Sequence, residues 1–336
     1  MSSIYVSIPS MKDEEYFNTI KSCYEQSSGN NEIHIGTAYN ILFNNKKIIE
    51  DVKKKLPDIP NFNIKFINTN KNRGVGYGRL ESMSFYNDQD YFLQCDSHTL
   101  FLKNWDEILI NGIHDAKKYF SIDKIFLTGY AAQYYFESEN KRVLYDNSTK
   151  PIYPFYICLE DPDFKDLQTW RNFADTFFNA YNKIPKWVTD QETKDNCTIK
   201  NKFELCTKAN ANFLFAEKEF AKSYKNLFPW PFFFFEEEFI MTIECFKMGW
   251  VPVYPNFDIN LCHLYGNNFN EFYMGRETIN MTDKDSDIAK NRISRYLEEN
   301  KDIIEKYFKY ASIDEETRMS TKVKYIPKIE DLFYEN

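Results

Sequence analysis

An α/β fold with a largely parallel sheet is what this sequence predicts, and three observations carry the prediction. Short apolar strand candidates alternate with longer amphipathic segments through the first half of the chain, the pattern of βαβ units. At 336 residues the chain can bury a substantial core, as one large domain with an insertion or as two modest ones, and the first form is expected. Hydrophobic residues at 43% and charged residues at 27% are ordinary globular values, so neither a disordered chain nor a membrane bundle is indicated.

The elements follow in order. "IYVSI" (4–8) is the first strand, and a helix is predicted from about 13 to 26, with Phe17, Ile20 and Tyr24 at three- and four-residue spacing. "EIHIGTAY" (32–39) alternates as a second strand, and "KKIIEDVKKKL" (46–56) is a helix stopped before Pro57. "FNIKFINT" (62–69) is a third strand, and "KNRGVGYGRLESMSFY" (71–86) reads as a glycine-rich turn opening into a helix. "DYFLQC" (90–95) is a fourth strand, followed by a helix at 105–120 and a strand at 124–135. Periodicity weakens from about residue 153 to 210 and returns with a strand and helix at 209–224. A proline-bounded aromatic run, a helix starting near Glu236 and a strand after Gly249 come next, and the charged segment 283–310 reads as a surface helix.

Composition excludes some function classes. A net charge of −8 repels polyanions, so a nucleotide-sized ligand is easier to accommodate than a duplex. The 18% aromatic content accompanies abundant Lys, Asn and Ile and by itself marks no binding groove. No apolar run reaches the roughly 18 residues that cross a bilayer, and the N-terminus lacks a basic region followed by an apolar core. A soluble cytoplasmic protein without a cleaved signal is expected. Seven cysteines without a CxxC pair read as reduced thiols, and the sequons at Asn147, Asn196 and Asn280 read as chance matches.

Four motifs bear on chemistry. Asp96-Ser97-His98 ends the fourth strand, where residues i and i+2 point to one side and ligands of open α/β sheets bind. A carboxylate with an imidazole suits Mn2+ or a similar divalent ion better than Ca2+ or Mg2+. Spacing alone leaves a capped turn with a satisfied loop histidine as the simpler account. "RGVGYGR" (Arg73 to Arg79) lets the backbone approach a ligand through Gly74, Gly76 and Gly78, with Arg79 one helical turn in as a charge for a nucleotide. A flexible turn without function accounts for the glycines equally well. In "EEEFIMTIECFKMGW", Glu237 and Glu238 open a helix whose dipole favours carboxylates, and the apolar "PWPFFFF" before them puts them at the edge of a buried pocket. His263, after an alternating strand, permits a shared metal site, although a lone histidine at a strand end is usually structural.

In this order the pieces resemble a nucleotide-sugar-dependent glycosyltransferase of the GT-A fold, in which an acidic "DxD" or "DxH" motif ends a central strand. The resemblance is nearest to the cytoplasmic N-acetylglucosaminyltransferases acting on hydroxyproline, and more distant to the polypeptide N-acetylgalactosaminyltransferases. It spans most of residues 4–265 through "IYVSIPS", "GVGYGR", "YFLQCDSHTLFLKNWDEIL", "ANANFLF" and "FFEEEFIMTIECFKMGW". It implies a Rossmann-like nucleotide-sugar-binding sheet flanked by helices, a catalytic domain over 1–270 with a 137–208 acceptor-side insertion or lid, and a helical extension over 271–336.

The resemblance further implies Mn2+ (or Mg2+) on Asp96, His98 and His263, bridging the phosphates of a UDP-sugar. Ser7 and Pro9 would lie at the uracil and ribose, with Arg73, Gly76 and Arg79 supporting the nucleotide. Glu237 and Glu238 would sit on the sugar and acceptor side, positioning hydroxyls in a retaining transfer of GlcNAc to a protein hydroxyl, or with Glu238 as base in an inverting one. A glycan, a modified DNA base, a non-catalytic sugar-nucleotide binder and a metal-dependent hydrolase are the alternatives. The chain departs from the family in carrying Glu236 where a glycine usually precedes the paired acids, and in the region 137–208, which has no counterpart.

Overall fold

A computed structural model describes residues 1–11, 13, 15–41, 46–68, 75–129, 131–138, 141–145, 202–206, 209–225, 236–264, 295–296 and 298–310. The chain runs β1 (Ser3–Met11), α1 (Tyr16–Glu25), β2 (Glu32–Ile41), α2 (Lys46–Lys55), β3 (Phe62–Asn68), α3 (Val75–Met83), β4 (Tyr91–Cys95) and β5 (Thr99–Phe101). It continues through α4 (Trp105–Phe120), β6 (Ile125–Thr128), β7 (Ala132–Ser138), β8 (Lys141–Tyr145), β9 (Phe203–Leu205) and β10 (Phe213–Glu217). The remaining elements are α5 (Lys218–Tyr224), α6 (Glu236–Lys247), β11 (Val251–Pro255), β12 (Leu261–Leu264) and α7 (Lys301–Tyr310).

Eight strands form one sheet in the order β3-β2-β1-β4-β10-β6-β11-β9, and four form a second in the order β5-β12-β7-β8. The β3-β2-β1-β4 half is parallel, whereas β10 runs antiparallel to both β4 and β6. The expected α/β class is therefore observed, with antiparallel strands added at β10 and β9. All five residues of β4 are buried, because helices cover both faces of a parallel sheet and leave no side for polar residues.

Close packing dictates particular residues. Tyr5 on β1 crosses to the neighbouring β2, and a β-carbon at Gly36 would lie 1.8 Å from the Tyr5 Oη and 2.9 Å from the Ser82 carbonyl oxygen. Only glycine lets the phenol reach that carbonyl, to which it donates a hydrogen bond. Trp105 opens α4 fully buried and donates from Nε1 to the Cys23 carbonyl at 2.9 Å, which satisfies its polar edge in an apolar setting. Next to it, buried Asp106 accepts from the Ser28 amide and hydroxyl at 2.8 and 2.7 Å, tying the α1–β2 loop to the first turn of α4.

Some expectations need correction. The glycines at 76 and 78 lie inside α3, which starts at Val75, and not in a turn. The value of Gly78 is proximity, since a β-carbon there would come within 3.3 Å of the Pro9 side chain. The single strand expected at 124–135 is two, β6 in the large sheet and β7 in the small one, because the chain breaks pairing around Gly129 and changes sheet. Two short strands, β5 and β9, carry too few residues for a sequence pattern. β9, near the end of the 137–208 region, pairs with β11 at the edge of the large sheet. The charged C-terminal segment is not wholly surface: Tyr296, Ile304, Tyr307 and Tyr310 are buried, and Tyr296 Oη donates to Glu244 on α6 at 2.7 Å. Most of the residues proposed as insertion and extension, and the aromatic run before Glu236, lie outside the described residues.

The five described cysteines, Cys23, Cys95, Cys206, Cys245 and Cys262, are free thiols. Among the described residues, no helix is long and apolar enough to cross a membrane.

Candidate active site

The site forms where β4 ends. Its neighbours β1 and β10 bring the β1–α1 loop and the loop 209–212 to the same edge, since Phe213 on β10 is registered opposite Cys95. Asp96, Ser97 and His98 turn the chain from β4 into β5. β5 then pairs antiparallel with β12, setting His263 opposite Thr99, and the Leu264 amide donates to the His98 carbonyl at 3.1 Å. Register alone thus carries a histidine distant in sequence to the acid that ends β4.

The ligand atoms offered by Asp96, His98 and His263 all lie within 4.8 Å of one another. His263 Nε2 is 3.2 Å from Asp96 Oδ2, and the two imidazoles meet edge to face with centroids 4.5 Å apart. Arg79, whose side chain is only 3% exposed, places Nη2 3.5 Å from Asp96 Oδ1. Behind His98, Asp13 Oδ2 lies 2.5 Å from Nδ1 and also accepts from the Ser97 hydroxyl at 2.9 Å. Thr19 on α1 donates to the Ser97 carbonyl at 2.7 Å and accepts from the Thr99 amide at 3.1 Å, which pins the turn from below. Tyr134 on β7 donates to Glu15 Oε2 and to the His98 carbonyl, at 3.1 and 3.3 Å.

The electrostatics follow from these contacts. Burial opposes ionisation of Asp96, but the His263 hydrogen bond and the Arg79 charge outweigh it and hold the carboxyl below the usual carboxylate range. For Asp13 burial again opposes ionisation and is overcome by the His98 contact, so its pKa is lowered. Burial pulls the His98 pKa down, yet the bond to Asp13 and its charge raise it above the ordinary value of 6.5. His263 goes the other way: burial and the neighbouring His98 lower its pKa, and Asp96 does not compensate. The site thus holds an ionised carboxylate and a histidine kept neutral by burial.

One carboxylate oxygen and two imidazole nitrogens form a donor set that fits a borderline divalent ion such as Mn2+, whereas Ca2+ and Mg2+ prefer oxygen alone. The residues present therefore fit the ion that the sequence implied.

The remaining predicted residues make the following contacts. Ser7 is fully buried and its hydroxyl is engaged with Ser82 Oγ at 2.6 Å, so its polar atom serves β1–α3 packing. Pro9 packs against Gly78, and Gly76 is buried within α3. Arg79, expected at a nucleotide, is turned to Asp96. Glu238 Oε1 accepts from the Ala211 amide at 2.9 Å, fastening α6 to the loop beside β4. Arg73 lies outside the described residues, as does the side chain of Glu237.

Asp13, Glu15, Tyr134, Thr128 and Thr242 were not legible as site residues. Thr242 Oγ1 accepts from the Ala209 amide at 2.9 Å and Thr128 Oγ1 from the Asn210 amide at 2.8 Å, so two hydroxyls shape the 209–212 loop. Asp13 offered one signal, an acid just beyond the C-terminal end of the first parallel strand, where ligands gather. Tyr134 offered none, because its role depends on a sheet-to-sheet contact.

A family model described as Glycosyltransferase (GlcNAc) matches residues 43–326. No curated protein matches the chain. Among solved structures, the chain is similar to GalNAc-T7, crystallised with UDP, GalNAc and Mn2+, at 11% identity and a TM-score of 0.44, over 79% of this chain and 44% of that one. It is also similar to the mannosyltransferase PcManGT from Pyrobaculum calidifontis, solved with GDP-Man and Mn2+, at 10% identity and a TM-score of 0.44, over 81% of this chain and 60% of that one. The chain spans about half the length of these two structures. With the family model matching 43–326 of 336 residues, the chain belongs to the Glycosyltransferase (GlcNAc) family.

Proposed function

We propose that the chain transfers a sugar, GlcNAc, from a UDP-sugar to an acceptor hydroxyl on a protein, with retention of anomeric configuration and with Mn2+ (or Mg2+) as cofactor. The observation that carries the reading is the meeting of Asp96, His98 and His263 within 4.8 Å at the carboxyl end of β4. Membership of the Glycosyltransferase (GlcNAc) family supports it.

A divalent ion held there would supply charge neutralisation for a departing diphosphate. The chain's own residues do the rest. Asp96, His98 and His263 would hold the ion, and the His263 hydrogen bond with the Arg79 charge keeps the Asp96 carboxylate ionised so that it can act as a ligand. Glu238, held by the Ala211 amide, steadies the loop on the sugar side. The acceptor oxygen bonds to the anomeric carbon as the bond from that carbon to the phosphate oxygen breaks, and the acceptor proton passes to a phosphate oxygen of the leaving UDP on the same face.

A donor screen tests the reading. UDP release is measured with Mn2+ across several UDP-sugars, and turnover is expected with UDP-GlcNAc above the others. Absence of UDP release and of a UDP–Mn2+ thermal shift would sink it.

A further inference from the structure

We propose that Asp13 is a positioning residue that locks the His98 imidazole with Nδ1 protonated and Nε2 presented as the metal-binding atom. The inference rests on the metal-dependent reading above. Asp13 lies between β1 and α1, in a different part of the chain from the DSH motif, and touches His98 Nδ1 through Oδ2 at 2.5 Å. The same oxygen takes the Ser97 hydroxyl at 2.9 Å, while Oδ1 takes the Glu15 amide at 2.9 Å. Three donors therefore fix a carboxylate whose side chain is 11% exposed, so it cannot swing away from the imidazole without losing all of them.

Chemistry assigns the roles. A neutral imidazole has one donor nitrogen and one acceptor nitrogen, and an ionised carboxylate only accepts. Nδ1 of His98 must then carry the hydrogen, which leaves the lone pair on Nε2. A histidine ligand whose second nitrogen donates to a carboxylate is oriented and made a better donor by it. The neighbouring backbone is held as well, by Thr19 at the Ser97 carbonyl and by Tyr134 and the Leu264 amide at the His98 carbonyl. With the main chain held there, the ring's orientation is the remaining freedom, and Asp13 removes it. His263 differs, since it is Nε2 that faces Asp96 at 3.2 Å. Asp13 is not one of the three residues whose ligand atoms gather in the cluster of Asp96, His98 and His263, and its contact is with His98, so its effect is exerted through that ring.

The test uses the full chain labelled with 15N-histidine, which has only four histidines to assign. Long-range 1H–15N spectra of the metal-free protein, taken at a pH where the ring is neutral, report the His98 tautomer, and electron paramagnetic resonance titration with Mn2+ reports affinity. The wild type is expected as the Nδ1–H tautomer. Asp13→Ala is expected to mix the tautomers and weaken Mn2+ binding about ten- to hundredfold, with Asp13→Asn, which keeps an acceptor oxygen, between the two. A folded Asp13→Ala protein with unchanged Mn2+ affinity overturns the proposal, and so does a wild-type His98 found as the Nε2–H tautomer. If Asp13→Ala does not fold, the wild-type tautomer decides. If the wild type fails to bind Mn2+ while His98 is Nδ1–H, the metal reading falls and the orienting contact stands.

Discussion

The two sheets hold the molecule in different ways. The eight-stranded sheet is secured by apolar burial: Ile4, Val6 and Ile8 on β1, with Leu93 and Phe92 on β4, are fully buried. The four-stranded sheet meets it near the site through polar contacts, namely His263 to Asp96, the Leu264 amide to the His98 carbonyl, and Tyr134 to Glu15 and His98. Apolar contacts tolerate small shifts because they are non-directional, while hydrogen bonds depend on angle and distance. The small sheet shares the apolar core through Phe101 and Leu261, and at the site it adds alignment through its polar contacts, so mutations in the core and at those contacts should separate the two roles.

The sharpest separation comes at the metal cluster, where the end of β4 in the large sheet meets β12 of the small one. Asp96→Asn or His263→Ala is expected to abolish the Mn2+- and UDP-dependent rise in melting temperature while the ligand-free melt moves little by comparison; a retained ligand shift would break the assignment. Gly36→Ala should do the opposite. Its new β-carbon collides with Tyr5 and with the Ser82 carbonyl, an overpacking expected to cost about 3 kcal/mol in a denaturant melt and to leave Mn2+ affinity intact in the folded fraction. Thr128→Val removes the acceptor of the buried Asn210 amide and should cost about 2 kcal/mol. Because it loosens the loop beside β4, its KM for donor should rise as well, and an unchanged KM would assign that loop to structure alone. Tyr134→Phe deletes the hydroxyl that joins β7 to Glu15 and His98; about 1 kcal/mol of stability and a few-fold loss of Mn2+ affinity are expected. If affinity falls without any loss of stability, the hydroxyl acts on alignment only.

Legibility in the sequence followed the same division. The helix at 105–120 and the strands β1 to β4 were readable because each carries its own hydrophobic period and its own stop signals. Glycines 76 and 78 misled, since a glycine that permits close helix packing looks the same in sequence as one that permits a turn. Asp96 and His98 were readable as a pair because they are two residues apart, and His263 from its place after an alternating strand, with its part as a third ligand given only by the resemblance. Tyr134 was missed because a residue that acts across 36 positions leaves no local trace, and Asp13, which acts across 85, offered only its place beyond the end of β1.

The sequence by itself determined the α/β class, the order of elements through β4, and the placement of an acid and an imidazole at a strand end, since these depend on local periodicity and the pleat. The tertiary structure alone decided that β10 enters the sheet antiparallel beside β4, that β12 registers His263 against Thr99, and that Asp13 faces His98. The physical reason is range: hydrophobic patterning selects an element from its nearest neighbours, whereas strand register and side-chain pairing are set by the packing of segments far apart in the chain.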